Sequence, residues 1–192
     1  MPMFLRKLVH WLYLQLMKFT VSFAPPARHT AFAGSGSSAQ LCQHIQRTGV
    51  RKLLVVTDKP LRELGVVDTA HQALEGSEID MAFDDGVLPD PTYEQVAEGV
   101  AVARSHGSEA ILAIGGGSSI DAAKIIAASA TSDENPADWV GFGKVKHDVL
   151  TLFVIPTTSG TGSEATMGAV ISDAQTHEKG VITGGTLLPQ AV

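Results

Sequence analysis

Two segments rich in glycine and hydroxyl side chains, each directly after a short apolar run, are the parts of this chain best suited to chemistry. Residues 110–114 are wholly apolar, which predicts a buried parallel strand, and Gly115, Gly116, Gly117 and Ser118 follow at once. Glycines there leave the backbone open to a ligand, and the helix expected over about 119–130 offers unpaired N–H groups and the positive end of its dipole. The pattern predicts a site for the phosphates of a nucleotide, although a Gly-Gly-Gly turn is explained equally well by tight packing.

The second segment favours the ligand over the packing explanation. The apolar run 150–155 is followed by Pro-Thr-Thr-Ser-Gly-Thr-Gly-Ser-Glu at 156–164. Five hydroxyls, two glycines and a carboxylate are too polar to serve as packing, and hydroxyls can donate to phosphate and ribose oxygens. Two such loops at strand ends are typical of the ligand site of an open α/β sheet.

Single carboxylates near these loops leave alternatives open. Asp58 follows the predicted strand 52–57, where it can accept from ribose hydroxyls and repel the extra phosphate of NADP, or simply form the turn before Pro60. Asp121 lies in the first turn of the helix after the glycines, where it most simply complements the helix dipole. Because phosphates would repel it, it is expected to face the nicotinamide side or a buried backbone group. Lys124 is expected to be an exposed helix residue.

At these residues the chain resembles the iron-containing (group III, metal-dependent) alcohol dehydrogenase family. The resemblance rests on Gly-Gly-Gly-Ser-Ser-Ile-Asp-Ala-Ala-Lys at 115–124 and on the segment 156–164, with support from 55–59 and 86–92. The four motifs occur in the family's order and span about residues 30–192. Either glycine-rich motif alone would be weak, whereas the two together are specific.

The resemblance implies a Rossmann-like α/β fold, with a mainly parallel sheet and helices on both faces, that binds NAD. In the full-length enzyme, which the resemblance implies to be a homo-oligomer, a divalent metal (iron or zinc) helps to transfer hydride between NAD and a small primary alcohol or aldehyde. The family's metal ligands lie in a helical C-terminal domain that we expect to be absent from these 192 residues, so we predict no metal site and name no catalytic residue here. The resemblance and the patterns together predict a set of cofactor-binding residues: Asp58, Asp90, Gly116, Gly117, Ser118, Asp121, Thr157, Thr158, Thr161 and Lys179.

Residue-level alternatives remain for part of this set. Asp90 is also explained by a turn before Pro91 and a helix cap at Thr92. Lys179 is also explained as a solvated charge in a hairpin.

Two alternative functions also remain: a dehydroquinate synthase-like or polyol (phosphate) dehydrogenase activity, and a non-catalytic nucleotide-binding fragment associated with a membrane.

Composition excludes several classes of protein. With 44% hydrophobic and 18% charged residues the chain is globular rather than disordered, and its net charge of −6 argues against a nucleic-acid binder. A single cysteine excludes an internal disulfide and a cysteine-based metal cage, and it favours the cytoplasm.

Strands and helices alternate from about residue 30 onward, which predicts a parallel sheet. Met167–Ser172 and 179–183 are predicted as paired strands.

Residues 1–24 form a separate predicted unit, an amphipathic helix, before a dinucleotide-binding domain over 25–192. One helical face carries only apolar side chains and the opposite face carries basic and polar ones, and Pro25-Pro26 marks the end of the helix. The apolar residues are Leu5, Leu8, Val9, Leu12, Leu16 and Phe19; the polar ones are Arg6, Lys7, His10, Gln15 and Lys18. Such a helix, over residues 1–23, either rests on a membrane surface or packs on the protein or a partner subunit.

Overall fold

The computed structural model describes residues 3–23 and 29–192 and confirms the α/β architecture. Four parallel strands form the main sheet in the order β2-β1-β3-β5. Their bounds are β1 Lys52–Val56, β2 Asp80–Asp84, β3 Ala110–Gly115 and β5 Thr151–Pro156. Every residue of β3 is buried, because this central strand is covered on both faces.

Helices cover both faces of this sheet, as the alternating pattern predicted. One face packs on α2 and α4, around a core that contains Leu41, Leu53 and Phe153; the other packs on α5 and α6, around Leu54, Ile111 and Ile126. The bounds are α2 Ser37–Arg47, α3 Lys59–Glu63, α4 Asp68–Leu74, α5 Tyr93–His106 and α6 Gly117–Ser129.

The sheet continues past β5 through two short extended segments rather than regular strands. Ala191 forms parallel bridges with both Phe153 and Thr30. The N–H of Phe32 then donates to the carbonyl oxygen of Val192 over 2.7 Å. The chain near residue 31 therefore joins the sheet only through these bridges.

A second, smaller sheet encloses α6 from the side opposite the main sheet. It has the order β4-β7-β6, with β4 Gly141–Phe142, β6 Gly168–Ser172 and β7 Lys179–Thr183. Strands β6 and β7 are antiparallel, which confirms the predicted pair. Since α6 lies between two sheets, every residue from 119 to 129 is buried. The segment 132–147, between α6 and β5, holds β4 and a short 3-10 helix, Pro136–Trp139, that buries Trp139.

At the N-terminal end, α1 runs over Met3–Phe23. Its described side chains, from Met3 to Leu12 together with Leu14 and Gln15, are exposed. The boundary predicted at Pro25-Pro26 and the side chains of Leu16, Lys18 and Phe19 lie outside the described residues. Within the described part of the chain, no helix combines the length and the apolar character needed to cross a bilayer.

Candidate cofactor-binding site

The loops after β1, β3 and β5 meet at the C-terminal edge of the main sheet and enclose a cleft of about 570 Å³. Parallel strands bring the loops at their carboxyl ends to one edge, so the loops lie together although their residues are distant in sequence. Six of the ten predicted cofactor-binding residues line this cleft: Asp58, Gly116, Gly117, Ser118, Thr157 and Thr158. Leu61, Val87, Leu88 and Pro89 add an apolar wall to the cleft. The last three belong to the supporting motif at 86–92, although no cofactor contact was predicted for them.

The three glycines after β3 are required for two different reasons. A Cβ on Gly115 would overlap the side chain of Ser119, so this glycine serves the packing of the turn. A Cβ on Gly116 would lie 3.1 Å from Oγ1 of Thr158, and one on Gly117 would lie 3.3 Å from Oγ of Ser163. The last two glycines therefore hold open the space between the loops after β3 and β5.

The N-terminus of α6 presents its amides to the same cleft. Gly116 is the N-cap residue and supplies no side chain to accept from the first-turn N–H groups. The N-termini of α3 and α5 are different, because the side chains of Asp58 and Thr92 cap them. Unpaired first-turn amides and the helix dipole favour an anion at this point.

Asp58 caps α3 and also lines the cleft. Its Oδ1 accepts from the N–H of Leu61 over 2.9 Å, which is the turn-forming and capping role. The same half-buried carboxylate lines the cleft. A carboxylate can accept several hydrogen bonds, so capping α3 leaves oxygen lone pairs for a ligand hydroxyl.

Asp90 and Lys179 lie outside this cleft, beside a neighbouring cavity of about 340 Å³. Their side chains form an exposed ion pair, with Nζ of Lys179 2.6 Å from Oδ1 of Asp90. Asp90 has φ +56°, which an aspartate tolerates in a turn. Pro89 lines both cavities, so the two are adjacent.

Thr161 approaches the cleft from the loop after β5 without lining it. Its Cβ lies 3.6 Å from the position that a Cβ on Gly117 would take. Its hydroxyl donates to Oε2 of Glu164 over 3.1 Å, which shapes the loop.

Asp121 faces the small sheet instead of the cleft. Its Oδ2 accepts from the N–H of Val170 over 3.0 Å, so the structure realises the alternative of a buried backbone partner. Burial raises the pKa of Asp121, while the hydrogen bond from Val170 and the charge of Lys124 lower it.

The expectation that Lys124 is exposed is wrong, because its side chain is fully buried beneath the loop after β5. Nζ donates to the carbonyl oxygens of Ser163 (2.7 Å) and Gly168 (2.6 Å) and to the hydroxyl of Thr166 (3.2 Å). Burial lowers the pKa of Lys124 to about 8, against the opposing charges of Asp121 and Glu164. A lysine inside an otherwise apolar, alanine-rich helix is the sequence signal that indicates such burial.

Within residues 3–23 and 29–192, no three His, Cys, Asp or Glu side chains come together in an arrangement that would hold a metal ion.

The open parallel sheet, with helices on both faces and loops gathered at the carboxyl ends of its strands, defines an α/β fold of the Rossmann-like class. The family model for iron-containing alcohol dehydrogenases matches residues 29–192. The chain therefore belongs to the iron-containing alcohol dehydrogenase family.

Similar sequences and solved structures agree with this membership. Lactaldehyde reductase of Escherichia coli K12 is 34% identical over 163 residues, which cover 84% of this chain and 43% of that protein. NAD-dependent methanol dehydrogenase of Bacillus methanolicus is 36% identical over 152 residues, covering 79% and 39%. The structure of NADH-dependent butanol dehydrogenase A from Thermotoga maritima superposes with a TM-score of 0.82 at 30% identity, covering 88% of this chain and 43% of that one. The chain thus spans about two fifths of the length of these relatives.

Proposed function

We propose that this chain forms the NAD(H)-binding part of a dehydrogenase that transfers hydride between a small primary alcohol or aldehyde and NAD. The observation that carries the proposal is the uncapped N-terminus of α6, where Gly116 and Gly117 keep open a cleft against Thr157 and Thr158. Two relatives are named as NAD- or NADH-dependent alcohol dehydrogenases, which favours this activity over the dehydroquinate synthase-like and polyol dehydrogenase alternatives.

The cleft fits a dinucleotide in its chemistry as well as its size. The first-turn amides of α6 would receive the diphosphate, and the hydroxyls of Thr157 and Thr158 would donate to its oxygens. The carboxylate of Asp58 would accept from the adenosine ribose hydroxyls and repel a phosphate on that ribose. The apolar wall of Leu61 and Leu88 would cover one face of the base.

When bound, the nicotinamide supplies the hydride acceptor or donor, and this chain's residues bind and orient it. The divalent metal, iron or zinc, belongs to the proposal for the full-length enzyme only. Since the described residues offer no ligands for it, this chain alone is expected to bind NAD weakly and to oxidise no alcohol.

Titration of the 192-residue chain with NADH, followed by nicotinamide fluorescence, tests the proposal. The change Gly117→Ala places a methyl group 3.3 Å from Oγ of Ser163, at the phosphate position, and we expect it to weaken NADH binding by about tenfold or more. Gly185→Ala is the matched control, because a Cβ there meets nothing within 4 Å. Equal NADH affinity in both variants, or no binding by the folded wild-type chain, would contradict the proposal.

A second measurement addresses turnover. The chain is mixed with NAD and either ethanol or a propanediol, and absorbance at the NADH band is followed. We expect no NADH formation, since the Lewis acid that would polarise the alcohol oxygen has no ligand set among the described residues. Sustained NADH formation would show that this chain is catalytically complete.

A further inference from the structure

Helix α1 lies outside the part of the chain that the family fold explains. It covers Met3–Phe23, whereas the family match begins at residue 29. Its described apolar side chains are unusually open to solvent: Phe4, Leu5, Leu8, Val9, Trp11 and Leu12 are between 41% and 77% exposed. Contiguous exposed apolar surface on this scale marks an interaction site.

The charge of α1 is opposite to that of the rest of the protein. The helix contains three basic residues and no acidic one. The whole chain has a net charge of −6, so the residues outside the helix carry −9. A segment of positive charge on an acidic protein is complementary to an anionic surface.

Helical geometry separates the two kinds of side chain. At 100° per residue, Leu5, Leu8, Val9 and Leu12 fall within one third of the circumference, and Arg6 and Lys7 lie outside that stripe. Contact of the cations with this protein's own acidic surface would leave the leucine stripe in water. A bilayer interface satisfies both faces, because it offers acyl chains to the stripe and lipid phosphates to the cations.

We infer that α1 binds the surface of an anionic lipid bilayer and lies in the plane of its interface. No helix in the described residues is fit to span a membrane, which agrees with a helix that lies on the surface. The aromatic ring of Trp11 is suited to the headgroup level of such an interface. The inference is independent of the proposed catalytic role, because it concerns residues outside the family match.

Tryptophan fluorescence gives a direct test, since the chain has only two tryptophans and they differ in exposure. Trp11 is 55% exposed and Trp139 is 2% exposed, so an aqueous quencher such as iodide reports mainly on Trp11. With vesicles of phosphatidylcholine and phosphatidylglycerol we expect a blue shift and protection from iodide. With pure phosphatidylcholine vesicles, binding should be weaker by about tenfold or more, because three cations lose their anionic partners.

A matched pair of double variants separates the contribution of apolar contacts to vesicle binding from the contribution of charge. Leu8→Glu/Leu12→Glu and His10→Glu/Gln15→Glu add the same two negative charges at exposed positions of α1. We expect the leucine variant to lose vesicle binding by about a hundredfold and the control by only a fewfold, because only the first removes apolar area from the stripe. Unchanged Trp139 emission and an unchanged thermal transition verify that the fold persists in each variant.

Three outcomes would overturn the inference: no vesicle binding by the wild-type chain, equal losses in the two variants, or a lipid-independent oligomer that dissociates when residues 1–23 are removed. NADH titration of the same variants should give the wild-type affinity. A protein that loses lipid binding but keeps NADH binding therefore reports on α1 alone. A protein that loses NADH binding but keeps lipid binding reports on the cofactor cleft alone.

Discussion

The ammonium group of Lys124 lies 2.7 Å from the carbonyl oxygen of Ser163, which ties helix α6 to the hydroxyl-rich loop after β5. The same group holds Gly168 at the start of β6, 2.6 Å away. One buried side chain therefore links the helix that follows the glycine turn both to the loop after β5 and to the start of β6.

Replacing Lys124 with methionine keeps most of the apolar stem and removes the three donors. Two buried carbonyl oxygens then lose a partner, and Asp121 loses the neighbouring positive charge at 3.9 Å. We expect a loss of about 2–4 kcal/mol in the free energy of unfolding, measured by urea titration. The control Lys59→Met removes a lysine whose side chain is 73% exposed, and it should change stability by less than about 0.5 kcal/mol. Similar effects of the two changes would contradict the role of Lys124.

The lowered pKa of Lys124 predicts a rise of stability with pH. In the folded chain its pKa is about 8, against an ordinary value of 10.5. Between these two values the unfolded chain holds a proton that the folded chain has released, so raising the pH favours folding. From pH 8 to 9.5 the wild type should gain about 1–2 kcal/mol relative to Lys124→Met. Burial also raises the pKa of Cys42 to about 11. Because Cys42 is present in both proteins, its contribution cancels in the difference between their free energies of unfolding. A constant difference across this range would refute the prediction.

Asp58 is expected to set the preference for NAD over NADP. Asparagine caps helices as well as aspartate does, so Asp58→Asn should keep the hydrogen bond to Leu61 while it removes the carboxylate charge. We expect the ratio of NADPH to NADH affinity to rise by about tenfold, as measured by fluorescence titration. Asp85→Asn removes an equal charge from the partner of Arg62 and should leave this ratio unchanged. A ratio that shifts equally in both variants would indicate a general electrostatic effect.

Gly99 in α5 should resist a change that normally stabilises helices. Alanine is favoured over glycine inside a helix by about 1 kcal/mol. Here a Cβ would lie 2.5 Å from Oδ2 of Asp84 and 3.0 Å from Cγ1 of Ile126, so these packed side chains, or α5 itself, would have to shift. We expect Gly99→Ala to lower the free energy of unfolding by about 1–3 kcal/mol in thermal or urea denaturation. An increase in stability would show that the side chains around residue 99 can accommodate the added methyl group.

Local sequence patterns were sufficient to predict the parallel core of the fold. The apolar runs at 110–114 and 150–155 correspond to β3 and β5, since a strand buried on both faces must be apolar throughout. The glycine turn and the hydroxyl loop were correctly located because backbone openness and side-chain donors are properties of the residues themselves. The start of α6 was predicted near Ser119, whereas it lies at Gly117, because glycine carries little helical signal of its own.

Tertiary packing decided which side chains reach the cleft. Asp90 and Lys179 are 89 residues apart in sequence, and their ion pair exists because β7 returns beside the turn before α5. The burial of Lys124 and the turning of Asp121 toward Val170 both follow from the small sheet, whose strand β6 lies more than forty residues further along the chain. Charge and helical position alone predicted that Lys124 would be exposed, and they left the partner of Asp121 open. The second sheet packs over α6, which removes both side chains from water and gives them backbone partners.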